Sequence, residues 1–326
     1  MNYAFIDLHL HLDGSLLPKS VIKVALEEGI KLPEYSQRKI IKFLQVSKNC
    51  ASLNEFLTKF DLPNLVLQGK KGIFTCTIDL LKNLSKSGLK YVEIRMAPQL
   101  STAGGLTQQE VVETLLSACK EGEKFGIFSN IILCMIRGDN TKAKNLETVE
   151  VAREYLNKGV VAVDLAGAEA LFPNEMFDEE FKLCNQYNIP LTIHAGEASG
   201  ASSVSSALKY GPKRIGHGIH SIGDEAVIKE LRDKNVYLEI CPKSNLDTKT
   251  IPSYQELPLR KFIESGVKLT INTDDMTVSN TTLKREFKTL RKLGFNKKEL
   301  QQFARNSIEA SFASEGIKQK LFNYIK

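Results

Sequence analysis

The sequence predicts an α/β protein of the (β/α)8, TIM-barrel type, with extra helices inserted after the first strand. Three observations predict it. Short β-branched runs recur along the chain, each followed by a longer stretch with helical spacing. The runs are near-continuous apolar strings rather than strict alternations, as expected of strands buried on both faces of a parallel sheet. Eight of them fit into 326 residues, a length a single barrel commonly occupies.

In order, the predicted strands are 4–8, 91–96, 129–136, 160–165, 190–193, 214–216, 236–240 and 268–271. Amphipathic stretches at 108–125, 148–158, 179–187, 224–233 and 259–265 supply helices between them. Break signals fall at the approach to the strands, at Gly88, Gly126, Gly159, Asn188-Ile189-Pro190, Gly211-Pro212, Asn235 and Gly266, where helices end ahead of a new strand. No glycine-rich dinucleotide fingerprint follows the first run, which weakens an open doubly wound sheet. The whole chain, 1–326, reads as one barrel domain. Its first connection, 17–88, is far longer than the others and holds Ser52-Leu53-Asn54-Glu55, a capping-box pattern. Leu53, Phe56, Leu57 and Phe60 follow helical spacing there, which suits either an ordinary core-facing helix or a lid over the catalytic face.

Composition excludes several classes. With 42% apolar and 25% charged residues, the chain is neither disordered nor collagen-like. No apolar run approaches the roughly 20 residues of a membrane helix, and the first residues lack the basic start and small-residue cleavage site of a signal peptide. A soluble, cytoplasmic protein without a membrane partner is expected. The net charge of +6 comes from lysines interleaved with acids, as in 229–234, so nucleic acid is not an expected partner. The six cysteines occur singly, without a CxxC pair, which suits buried thiols in a reducing compartment.

The five histidines carry the most information. His9 and His11 end the first strand two residues apart, so both imidazoles point to one side. His194 ends the fifth strand in Thr-Ile-His-Ala-Gly-Glu197, His217 ends the sixth, and the eighth runs into Asp274-Asp275. Only His220 lies away from a strand end, on what reads as a solvent-facing loop. Singly, each has a bland explanation: exposed strand histidines, a helix N-cap for the aspartates, a surface carboxylate for Glu197. Together they require coincidences at four strand ends of one barrel, whereas a single catalytic metal explains all of them. Three imidazoles and a carboxylate suit Zn²⁺ and leave a position open for water; Mg²⁺ calls for oxygen ligands. A second metal would need a bridging ligand such as a lysine at the end of the fourth strand, where the chain instead runs Val163-Asp164-Leu165-Ala166-Gly167. One Zn²⁺ per chain is expected.

With these residues in place, the chain resembles the adenosine deaminases of the amidohydrolase superfamily. The resemblance covers nearly the whole length and rests on Asp7-Leu8-His9-Leu10-His11-Leu12-Asp13-Gly14-Ser15, Asp164-Leu165-Ala166-Gly167, His194-Ala195-Gly196-Glu197, Arg214-Ile215-Gly216-His217-Gly218, Cys241-Pro242-Lys243-Ser244-Asn245 and Asn272-Thr273-Asp274-Asp275. It implies that His9, His11, His194 and Asp274 hold the zinc, and that Glu197, His217 and Asp275 act on water and purine. It also implies contacts from Asp13 to the ribose 5′-hydroxyl, from the Gly167 backbone N–H to purine N3, from Asp275 to N7, and from Leu53, Phe56, Leu57 and Phe60 around the ribose. His11 belongs to the same substrate-facing wall. The implied reaction converts adenosine or 2′-deoxyadenosine to inosine or deoxyinosine and ammonia. One departure is Ala168, where many relatives carry an acid, although Glu169 follows. Deamination of adenine or a 5′-modified adenosine is the alternative among enzymes, and a non-catalytic purine-binding barrel the alternative outside them. The sequence leaves the oligomeric state open, a monomer included.

Overall fold

The computed structural model describes residues 3, 5–48 and 50–325. Two four-stranded parallel sheets, in the order β1-β2-β3-β4 and β5-β6-β7-β8, curl toward each other. The strands are β1 (Ile6–His11), β2 (Tyr91–Met96), β3 (Phe128–Ile136), β4 (Val160–Ala166), β5 (Thr192–Ala195), β6 (Arg214–His217), β7 (Tyr237–Ile240) and β8 (Leu269–Ile271). The (β/α)8 barrel closes at two narrow seams. At one, the Val163 N–H donates to the Pro190 carbonyl at 3.0 Å. At the other, the Asp274 N–H donates to the His9 carbonyl and the His11 N–H to the Asp274 carbonyl, both at 2.8 Å. This second seam sets Asp274 between the two histidines of β1.

All eight expected strands form, β2 with the expected bounds and the others with shifted ends. β1 begins at Ile6 and runs on through His11, three residues past the expected end; Ala4 lies outside the described residues. β5 starts two residues late because Pro190 has no N–H for the ladder. Helices return between strands, among them Gln108–Gly122, Lys142–Tyr155, Asp178–Gln186, Glu225–Asp233 and Leu259–Glu264. Gly88 closes the helix before β2 at φ 101°, a conformation that costs a side-chain-bearing residue dearly. Helices Lys297–Ala310 and Glu315–Phe322 pack Ala304, Ile308, Ala310 and Leu321 against Phe5, Ile6 and Leu8.

Among its described residues, the long connection after β1 forms five α-helices: α1 (Pro18–Glu28), α2 (Gln37–Leu44), α3 (Leu53–Leu57), α4 (Asp61–Val66) and α5 (Lys70–Ser87). The stripe 53–60 was expected as one amphipathic helix, but the structure breaks it into the short α3 and a 3₁₀ turn at Thr58–Phe60. Ser52 caps α3 by accepting from the Glu55 N–H at 3.2 Å, while the Glu55 carboxylate reaches past Ser52 to the Ala51 N–H at 2.9 Å. The capping box is therefore half formed. Phe56 is buried in a small cluster with Cys50 and Val278, apart from the main core, which ties this segment to the loop after β8.

Charged groups fill part of the barrel interior. Arg214 pairs with Glu93 at 2.6 Å and with Glu239; Arg95 pairs with Asp164 at 2.7 Å and with Glu239 as well. All five are fully buried. Removing one partner of such a pair strands a charge in low dielectric, at a cost of about 3–5 kcal/mol. This layer lies directly beneath the histidines.

Candidate active site

Strand geometry brings the sequence-predicted donors to one point. Nε2 of His9 lies 3.1 Å from that of His194 and 3.3 Å from that of His11, and His11 and His194 are also 3.3 Å apart. Asp274 Oδ1 stands 3.2 Å from His9 Nε2 and 3.4 Å from His11 Nε2. Donors at the corners of a tetrahedron with bonds of about 2.0–2.1 Å are about 3.3 Å apart; five of the six pairs match that spacing, and the His194–Asp274 pair is wider, with all four atoms within 4.8 Å of one another. The hydrogen-bond partners agree. His9 Nδ1 lies 2.9 Å from Glu239 Oε2, and His194 Nδ1 lies 2.9 Å from Asp164 Oδ2. An Nδ1–H donated outward to a carboxylate leaves Nε2 as a lone pair facing the common point. Arg95 pairs with the same Oδ2 and Oε2 atoms, so one guanidinium braces both pairs.

His217 and Asp274 end β6 and follow β8 with φ of 59° and 63°. Left-handed backbone is uncommon for residues other than glycine and clusters at functional sites. A second donor group, His217, Cys241 and Asp274, is also close enough to hold a cation. Its thiol donates to the Glu239 carbonyl at 3.6 Å and burial holds it protonated, with a pKa far above its usual value. The set of three histidines and Asp274 is the better cradle.

The donors form the floor of a cavity of about 290 Å³. His11, His194 and Asp274 line it, and His9 lies fully buried below. Glu197, His217, Asp275 and Gly167 line it too, as do Asp13 and the apolar Leu53, Phe56, Leu57 and Phe60. The stripe on α3 thus faces the cavity, with only Phe56 also buried in packing. Gly14 has a steric reason to be glycine: a Cβ there would sit 1.6 Å from Asp275 Oδ1. Gly167 adopts φ 111° as the chain leaves β4.

Burial sets the protonation of these groups. Glu197 is pushed up to about 8 by burial, and the nearby Asp274 and Glu169 carboxylates add to the effect. Asp275 is driven well above the carboxylate range by burial and by Asp274, Asp13 and Glu197. Asp13 rises to about 6, again through burial. Burial holds His217 well below its usual value, so its imidazole is neutral. Glu197 Oε2 lies 3.5 Å from His217 Nε2.

His220 differs from expectation. It is half-buried rather than solvent-facing, with Nδ1 3.0 Å from the Ser199 carbonyl, and it supports the loop after β5. Arg95 and Glu239 have no reading in the sequence, Glu169 enters it only as the acid that follows Ala168, and Asp164 and Asn245 only as parts of motifs. The available signal was a charge inside an otherwise apolar strand, as in Tyr-Val-Glu-Ile-Arg-Met and Tyr-Leu-Glu-Ile.

A parallel barrel with imidazoles and a carboxylate converging where its strands end defines a class, the amidohydrolase-type (β/α)8 barrels. A family profile described as adenosine deaminase matches residues 5–326, and the chain belongs to the adenosine deaminase family. It is 43% identical over 330 residues to the adenosine deaminase of Haemophilus ducreyi, covering 99% of this chain and 96% of that one. Among solved structures it resembles adenine deaminase from Arthrobacter aurescens, with TM-score 0.89 and 26% identity over 98% of this chain and 97% of that one. A zinc-bound amidohydrolase from Burkholderia ambifaria shares the fold, with TM-score 0.87 and 16% identity over 99% and 90% of the two chains.

Proposed function

We propose that the chain is a zinc-dependent hydrolase that deaminates adenosine and 2′-deoxyadenosine to inosine and deoxyinosine, releasing ammonia, within purine metabolism. One observation carries this reading: four donor atoms within 4.8 Å of one another, five of their six pairs at 3.1–3.4 Å, stand in a cavity that also holds a buried, protonated glutamic acid. One zinc ion held by His9, His11, His194 and Asp274 supplies Lewis acidity that lowers the pKa of water to about 7.

The protein's own groups do the rest. Protonated Glu197 donates to purine N1, which draws electrons from C6 and opens it to attack by water. His217, neutral through burial, accepts the proton of the attacking water at Nε2. Asn245 Nδ2 lies 2.9 Å from His217 Nδ1, and the amide oxygen is buried without a partner. With that oxygen turned to Nδ1–H, Nε2 is the free base. That proton passes to the amino group as the C6–N bond breaks and ammonia leaves, while the remaining hydroxyl proton at C6 passes to the Glu197 carboxylate, which restores the acid and leaves inosine with N1–H and C6=O. Asp275 remains a neutral acid in its crowd of carboxylates and donates to N7. The Gly167 N–H faces N3, and the positive φ of this residue lets the ring approach the main chain.

Substrate choice follows from charge. Asp13 and Asp61 line the cavity, and Arg137 is the one Lys or Arg among the described lining residues. Its terminal nitrogens are already committed at 2.6 Å to the carbonyls of Phe172 and His194 and to Asn174 Oδ1. A 5′-phosphate therefore meets carboxylates without a free cation, while a 5′-hydroxyl can donate to Asp13. The chain works as one domain, 1–326, and the 17–88 excursion serves as a lid whose α3 covers the ribose. The six buried free cysteines support a reducing, cytoplasmic setting; among the described residues no helix is long and apolar enough to cross a membrane. Ultraviolet assays on adenosine, 2′-deoxyadenosine, adenine, 5′-methylthioadenosine and AMP test the reading. Turnover of the two nucleosides is expected to exceed that of adenine and AMP by at least about 10²-fold in kcat/KM, roughly 2.7 kcal/mol. A preference for free adenine contradicts it.

A further inference from the structure

We infer that Glu169 is a positioning residue that sets the backbone of 196–199 and thereby places Glu197 against the substrate. The inference rests on the reading of Glu197 as the proton donor. Glu169 lies in the loop after β4, 2% exposed, and reaches across to the loop after β5. Its Oε1 accepts from the Gly196 N–H at 2.6 Å and the Ser203 hydroxyl at 2.5 Å. Its Oε2 accepts from the N–H groups of Glu197 at 3.1 Å, Ala198 at 2.7 Å and Ser199 at 3.2 Å.

Four consecutive N–H groups that converge on one point form a concavity suited to an anion. Here a side chain of the same protein fills it. The carbonyls of the loop are supported differently. Those of Ala195 and Gly196 accept from the Gly218 and His220 N–H groups, both at 3.0 Å, that of Glu197 from Thr250 Oγ at 3.2 Å, and that of Ser199 from the His220 ring. Carbonyl support is thus shared among several residues, whereas the whole N–H row depends on Glu169. A donor displaced by a fraction of an ångström transfers its proton poorly, so the carboxylate that shapes this loop acts on the chemistry through Glu197.

Glu169→Gln keeps the shape but cannot satisfy the row. Its amide nitrogen must face either Gly196 N–H and the Ser203 hydroxyl, or the three N–H groups of 197–199, and donors then oppose donors. On the full-length, zinc-loaded protein, we expect Glu169→Gln to lower kcat on adenosine by about 10²-fold with KM within about threefold. Zinc content should stay at one per chain, and amide hydrogen exchange should quicken by about tenfold or more within 196–199. Should this variant fail to fold, Ser203→Ala removes one hydrogen bond and is expected to show a smaller loss in kcat with the same local rise in exchange. The inference is overturned if kcat stays within about threefold of the unaltered protein, if the kcat loss merely tracks zinc loss, or if exchange in 196–199 is unchanged. Should the unaltered protein prove inactive on adenosine, the functional reading fails; exchange that quickens only in 196–199 would still support the loop-setting role.

Discussion

Glu197→Gln is expected to lower kcat on adenosine by about 10²–10⁴-fold, the range a positioned proton donor contributes, while zinc stays at one per chain. Glutamine preserves the size of the side chain and leaves the donor cluster intact, so binding should change little and KM should hold within a few-fold. The sign of the pH dependence follows from the raised proton affinity of Glu197, at about 8. Below that pH the group is protonated and can donate to N1; above it the proton is lost, so the kcat/KM profile should fall on the alkaline side of about pH 8. The Glu197→Gln protein should retain its low activity without that limb. Parallel steady-state kinetics and metal analysis check both points. Near-normal turnover in the variant removes Glu197 from the mechanism.

The second large effect is expected at Asp274. Asp274→Ala deletes one of the four donors and should weaken zinc binding by more than about 10²-fold, because losing even a hydrogen-bond partner of a metal ligand costs 10–100-fold. Activity should disappear at limiting zinc and return in part at high zinc, as measured by titration against a competing chelator. The backbone of Asp274 makes the seam hydrogen bonds to His9 and His11, and alanine keeps these, so the barrel should remain closed. A variant with unaltered zinc affinity would show that the carboxylate is not a ligand.

The strand ends show how much was legible. The parallel strands are apolar along their length, and a histidine or aspartate at the end of such a run stands out against that background. His9, His11, His194, His217 and Asp274 were therefore readable with no coordinates. The seam that sets Asp274 between the two β1 histidines was not, because it depends on how a barrel closes between segments far apart in sequence, as the bond from the Leu8 N–H to Asn272 Oδ1, 264 positions along the chain, shows. The single helix expected at 53–60 failed for a local reason. Its apolar stripe has helical spacing, but it faces an open cavity rather than a core; only Phe56 is fully buried, with Phe60 partly packed beside it. Burial sustains helices more than propensity does, so α3 stops after one turn. The supports were the hardest to read. Glu169 and Arg95 look like ordinary charged residues in sequence, and their roles come from partners on other strands: the 196–199 amides for one, Asp164 and Glu239 for the other. Glu239 and Asp164 had a detectable signal, a lone acid within a buried strand, but not a detectable partner.

Zinc-edge X-ray absorption on the purified protein tests the central claim most directly, since it reads ligand type and bond length together. The proposed function predicts one zinc per chain with nitrogen and oxygen neighbours at about 2.0–2.2 Å and outer-shell scattering from three imidazoles. A sulfur neighbour at about 2.3 Å would place the ion at Cys241 instead. That result, or protein that binds no zinc yet deaminates adenosine at full rate, would contradict the account.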